Sequence, residues 1–131
     1  MTHLRVEYTA NLEPALRIGE LCEHLRATLA GTQDDEGNPV FPVSGTRVLA
    51  FPAQHFAVAD GDDDRSFVWL QMRINAGRSA VLKKKVGDTL MAAVDAWFAP
   101  IAAARPIGLR LQIDEGTEIY DGKLNNLADH L

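Results

Sequence analysis

The stretch Phe67 to Ser79, reading FVWLQMRINAGRS, constrains this chain more than any other. Val68, Leu70, Met72 and Ile74 alternate with Phe67, Trp69, Gln71 and Arg73, the period of two that a strand shows when one face enters a core. Asn75-Ala76-Gly77 then makes a turn whose glycine is free to take positive φ, and Ser79 is suited to cap the helix that follows. That helix start gathers unpaired N–H groups and the positive end of the macrodipole beside the Arg78 guanidinium. Together they are able to hold a carboxylate through charge-assisted contacts. An arginine in such a place serves equally well in a surface ion pair, so the stretch alone leaves both roles open.

Around it the chain reads as two similar halves. His3 to Tyr8 alternates as a strand that begins almost at the first residue, and Asn11 and Pro14 offer a cap and a first turn for a helix carrying Leu16, Leu21, Leu25 and Leu29. Gly31 stops it. Thr32 to Pro42 is acidic and turn-rich, an exposed loop, and Val43 to Ala59 is strand-like but broken by Pro52 into two pieces or one bent edge strand. Asp60-Gly61 reads as a hairpin leading into Phe67. The run DGDDD lacks the glycine and terminal acid of a calcium loop, with Arg65 and Gln71 in their places. Leu82, Val86, Leu90, Val94, Trp97 and Ile101 mark a second helix that Pro100 should kink or end, and Ile107 to Ile113 alternate as a last strand. Lys123 to Leu131 is polar enough for a terminal helix.

Two β-α-β halves with right-handed crossovers, joined by the hairpin, predict an α/β (α+β) fold: one domain over residues 1–131, with a four-stranded mixed sheet and two helices on one face. Apolar groups on both faces of the strands at 4–8 and 67–73 predict that copies of the chain cover the open face.

Charge and composition narrow the function. With 18 acidic against 13 Lys and Arg residues the net charge is −5, so no basic surplus exists to neutralise phosphates and no nucleic acid is expected. Apolar runs are short and interrupted and no leader pattern opens the chain, so no membrane insertion or export is expected and cytoplasmic residence is. Cys22 stands alone in an apolar pattern and reads as a buried structural thiol. The histidines at 3, 24, 55 and 130 lack metal-ligand spacing, and no phosphate-loop or dinucleotide fingerprint occurs. What remains is Arg47 and Arg78 near strand ends, and a chain terminus held in the sheet, whose amine titrates near 7.7 to 8.0 and so suits general-base work.

His3-Leu4-Arg5-Val6-Glu7-Tyr8, Gly45-Thr46-Arg47, Ala59-Asp60-Gly61, Phe67-Val68, Ile74-Asn75-Ala76-Gly77-Arg78-Ser79 and Asn125-Asn126 occur here in the order and spacing of a known family. Through them nearly the whole chain resembles the 5-carboxymethyl-2-hydroxymuconate Δ-isomerases of the tautomerase superfamily. The resemblance implies a duplicated β-α-β homotrimer with sites at subunit boundaries and no metal or organic cofactor. It also implies a role in aromatic-acid catabolism. In such enzymes an N-terminal proline amine moves a proton on an unsaturated di- or tricarboxylic acid while arginines, matched here by Arg47 and Arg78, bind the carboxylates.

The proline after the initiator methionine is Thr2 in this chain. A freed Thr2 presents a primary amine with more rotational freedom. A retained Met1 makes the Thr2 nitrogen an amide and moves the free amine one residue, about 3.8 Å, along the chain. Two readings follow: an isomerase with catalytic Thr2, Arg47 and Arg78, or a non-catalytic relative that binds a carboxylate metabolite or serves as an oligomeric structural protein.

Overall fold

A computed structural model describes residues 2–131. Strands β1 (Thr2–Thr9), β2 (Thr46–Ala53), β3 (Phe67–Asn75) and β4 (Gly108–Gly116) form one sheet in the order β2-β1-β3-β4. β1 runs parallel to β2 and antiparallel to β3, and β3 runs parallel to β4. Helices α1 (Ile18–Ala30) and α2 (Ala80–Ala104) form the β1-α1-β2 and β3-α2-β4 crossovers that the two-half reading predicts. The result is an α+β fold with a duplicated β-α-β plan.

Alternation decides the two sheet faces. Leu4, Val6, Val68, Leu70 and Met72 are fully or almost fully buried together with Leu21, Leu25 and Leu29 of α1 and Val86, Leu90 and Val94 of α2. The other face of β1 carries His3, Arg5 and Glu7, all polar, so only its neighbours contribute apolar groups there, notably Leu49, Phe51 and Trp69. The expectation of apolar residues from β1 on both faces therefore fails, and the open face is mixed.

Several local expectations change with packing. Asn11 does not cap α1. It lies in a short 3₁₀ turn (Ala10–Leu12), where its side-chain amide donates to the carbonyls of Arg65 at 2.8 Å and Asp63 at 3.3 Å. Helix α1 starts only at Ile18, behind Arg17 in the left-handed region with φ 51°. Leu16 is fully buried from outside the helix, which is why the sequence stripe reads longer than the helix. Asp60-Gly61 is not a hairpin, because β1 lies between β2 and β3 and residues 54–66 must pass it. There Arg65 holds Asp60 at 2.9 Å and Asp62 at 3.1 Å, occupying with its own cation the acids that resemble a calcium loop. Pro52 sits inside one unbroken strand, tolerated because β2 is at the sheet edge.

Pro100 does not end α2. The helix continues to Ala104, and Arg105 N–H donates to the Ile101 carbonyl at 3.1 Å. Buried Phe98 and Ile101 flank the proline, and their burial outweighs one lost hydrogen bond. By length and composition this helix is apolar enough to cross a membrane, contrary to the impression of short apolar runs. Its buried stripe makes it the core helix of the sheet. Within residues 32–42, Phe41 is fully buried and anchors an otherwise exposed loop. The tail forms only a 3₁₀ turn at Leu127–His130, not a longer helix.

Pro100→Ala restores a donor without changing the buried stripe, so it should raise stability by about 1 to 2 kcal/mol after the entropy gained by the unfolded chain is offset. A denaturant midpoint equal to or below that of the parent would show that the helix is shaped around the proline.

Candidate active site

One end of the sheet collects the start of β1, the start of β2, the end of β3 and the end of β4. The register pairs His3 with Arg47 on one side and with Arg73 on the other. Paired residues share a face, so Arg47, His3 and Arg73 form a row across three strands on the face away from the helices. A cleft of about 310 Å³ opens there, lined by His3, Arg47, Arg73, Ile74, Asn75 and Glu118.

Arg47 Nε donates to His3 Nδ1 at 3.0 Å. That bond requires a lone pair on Nδ1, so the imidazole proton belongs on Nε2. Burial, then the positive charges of Arg47 and Arg5, hold the His3 pKa below its usual 6.5. His3 is thus a neutral group between two arginines. It carried no role in the sequence reading, and the signal that could have found it is its strand phase: residue 3 shares a face with Arg5 and Arg73.

Thr2 and Arg78 are placed differently. Thr2 lies one residue from His3 on β1 and is fully buried, and its Oγ1 has no hydrogen-bond partner among the described residues. The expectation about Met1 lies outside the described residues. Arg78 belongs to the same end of the sheet but does not line the cleft of its own chain. Its guanidinium donates to the carbonyls of Asn75 and Val40, both at 3.3 Å, and lies 5.1 Å from the centre of the Phe41 ring. Gly77 takes φ 118°, and Ser79 Oγ accepts from Leu82 N–H at 3.1 Å, so the turn and the cap form as the sequence predicts.

Arg78 does not line the hollow beside the start of α2. That hollow, of about 230 Å³, is lined by Asp34, Asp35 and Glu36 together with Ser79 and Lys85. Cys22 is partly buried, and burial raises its pKa, which suits a packing thiol and not a nucleophile.

Titration of His3 followed by nitrogen NMR should give a midpoint below 6.5 with the Nε2–H tautomer. The unfolded chain then takes up this proton before the folded one as pH drops beneath 6.5, so the histidine's contribution to stability declines as pH falls toward the lowered value. A midpoint at or above 6.5 would mean that the bond to Arg47 is not held in solution.

The sequence profile of the 5-carboxymethyl-2-hydroxymuconate isomerase family matches residues 2–131. A 5-carboxymethyl-2-hydroxymuconate Delta-isomerase of Escherichia coli is 28% identical over 127 residues, covering 97% of this chain and 96% of that protein. A crystal structure of a 5-carboxymethyl-2-hydroxymuconate delta-isomerase superposes with a TM-score of 0.93 at 40% identity, over 99% of this chain and 92% of the other. The 5-carboxymethyl-2-hydroxymuconate isomerase from Deinococcus radiodurans R1 gives 0.85 at 37% identity, over 98% and 92%. A fused 4-OT wild-type symmetric trimer shares the fold alone, at 17% identity and a TM-score of 0.61, over 97% of this chain and 98% of that one.

Proposed function

Because the chain belongs to the 5-carboxymethyl-2-hydroxymuconate isomerase family, we propose that it is a cofactor-free isomerase that moves a proton on an unsaturated di- or tricarboxylic acid in aromatic-acid catabolism. The observation that carries this reading is the cationic row Arg47–His3–Arg73 in a cleft one residue from Thr2. A carboxylate held by Arg47 brings the conjugated chain of the substrate to the start of β1. There the amine of a freed Thr2 takes a proton from one position and returns it at another. An α-amino group ordinarily titrates at about 7.7 to 8.0, which leaves part of it unprotonated at neutral pH, and adjacent positive charge favours the neutral form. The withdrawn charge spreads over the dienol or keto acid, and the guanidinium nearest the substrate oxygen stabilises it.

The working unit in this reading is a homotrimer, with Arg78 binding a further carboxylate at the subunit boundary. Supporting it are exposed Leu49 and Phe51 beside Trp69 on the open sheet face, and a tail whose Ile119, Tyr120 and Leu124 are exposed. That tail leaves β4, passes the cleft at Glu118 and reaches the other edge of the sheet, where Asn125 Nδ2 donates to the Ser44 carbonyl at 3.2 Å. So much uncovered apolar surface on a small chain is what an interface requires. Light scattering at micromolar concentration should return three times the chain mass of 14.3 kDa. A monomer mass would rule the trimer out.

Thr2 in place of proline favours one competing reading, a relative that binds a carboxylate metabolite without turnover or serves as an oligomeric structural protein. Thr2→Pro separates the two. With Met1 removal verified by mass, the proline variant should ketonise 2-hydroxymuconate faster than the parent, since general-base catalysis is worth about 10²- to 10⁴-fold. A processed variant that binds this acid and transfers no proton faster than the parent would end the isomerase reading, unless the parent is already as fast, in which case a primary amine suffices.

A further inference from the structure

The acceptor at Arg47 Nε is the Nδ1 lone pair of His3, 3.0 Å away. The two residues stand opposite each other on the parallel strands β1 and β2, so the short imidazole meets the arginine at the stem of its guanidinium. An unheld arginine spreads over many rotamers, and ordering it when a ligand arrives weakens the complex. A bond at Nε fixes the plane of the guanidinium and closes its side-on edge. The remaining donors of the fork lie on the two Nη groups.

This grip differs chemically from those on arginines outside the cleft. Arg5 is bound by the carboxylate of Glu7 at 2.9 Å, Arg17 by Glu20 at 2.7 Å and Arg65 by Asp60 at 2.9 Å. Each of those cations faces a counter-charge. A carboxylate at position 3 would likewise hold Arg47, but it would cancel the charge that an anionic ligand needs. An imidazole accepts the same hydrogen bond uncharged, and burial, then the positive charges of Arg47 and Arg5, disfavour a charged ring here. His3 also shares β1 with Thr2, one residue away. A guanidinium held by His3 therefore keeps a fixed place relative to the start of that strand, which is the precision that a reacting pair requires.

We propose that His3 is a positioning residue: its Nδ1 sets the Arg47 guanidinium in the orientation that receives a substrate carboxylate, and leaves the charge of that guanidinium to the ligand. This role rests on the reading of the cleft as the substrate site and adds the group that aims its carboxylate contact.

The test is calorimetry on the full chain at neutral pH with trans,trans-muconate, which lacks the hydroxyl needed for ketonisation. His3→Leu removes the acceptor and should weaken muconate by about tenfold, the size of one hydrogen bond to a charged group. In an Arg47→Ala background the same substitution should change affinity by less than about twofold, because a group that acts through Arg47 has nothing left to act on. His3→Asn carries an acceptor, Oδ1, the same number of bonds from Cα as Nδ1, and should bind within about threefold of the parent. His3→Asp has the shape of that variant with a counter-charge added, and should bind about tenfold or more weakly than it. The Asn and Asp pair decides the matter even where His3→Leu fails to fold. Equal losses from His3→Leu in the two backgrounds would mean direct contact with the ligand or a purely structural role, and would overturn the proposal. Equal affinities of the Asn and Asp variants, or a parent that does not bind muconate, would do the same. A parent that shows the coupling but fails to isomerise 2-hydroxymuconate sinks the isomerase reading and leaves His3 in its role. An active parent without the coupling does the reverse.

Discussion

Every part of this structure depends on the two ladders of β1. It is the first strand in the chain, yet it stands inside the sheet, parallel to β2 and antiparallel to β3. Because side chains alternate with a period of two, a slip of one residue would exchange Leu4 and Val6 with His3 and Arg5. The first exchange would place charges against α1 and α2, and the second would take the imidazole out of the arginine row. The burial that fixes the core thus also fixes the site to the register of a single residue. The site costs the fold little, since the polar phase of β1 would face away from the helices in any case.

Thr2 takes its position from the same ladders. It lies opposite Thr46 and is fully buried, so the backbone nitrogen in the proposed role of base is held by a sheet and not by a flexible arm. Precise placement is what proton transfer demands, since an ångström of misplacement can cost about two orders of magnitude in rate. What proline would add beyond that is chemical: a secondary amine whose ring has no rotation to lose. The buried Thr2 hydroxyl has no partner among the described residues, which is unfavourable for a polar group in such a place. No packing reason for threonine is visible.

The sequence made the strands legible because their alternation survives tertiary context. The turn through Gly77 and the Ser79 cap were legible because each has a local backbone cause. The failures share another origin. Asn11, Asp60-Gly61 and Pro100 are local signals whose outcome depends on distant residues: Asn11 binds the carbonyls of 63 and 65, β1 separates the strands flanking Gly61, and Phe98 and Ile101 hold the helix through its proline. Arg47 and Arg78 could be named from the sequence as arginines near strand ends. That Arg47 lines the cleft while Arg78 lies over Phe41 could not, because the direction of a long side chain is set by the loop it meets. His3 and Arg73 were hidden for a related reason: their importance is a matter of cross-strand neighbours about seventy residues apart.

The charge distribution limits where an anion can settle on this chain. A chain of net charge −5 repels a dianion over most of its surface, and the acids of residues 34–36 beside α2 strengthen that repulsion next to the proposed Arg78 contact. At physiological ionic strength such fields fade within about 8 Å, so attraction is confined to ligands already inside the cleft. A neutral His3 sharpens the contrast. A third positive charge between Arg47 and Arg73 would repel both guanidinium groups and remove the acceptor that orients one of them. A neutral ring leaves two cations in the row with an uncharged group between them. The local field is then set by the two guanidinium groups, with an uncharged ring between them.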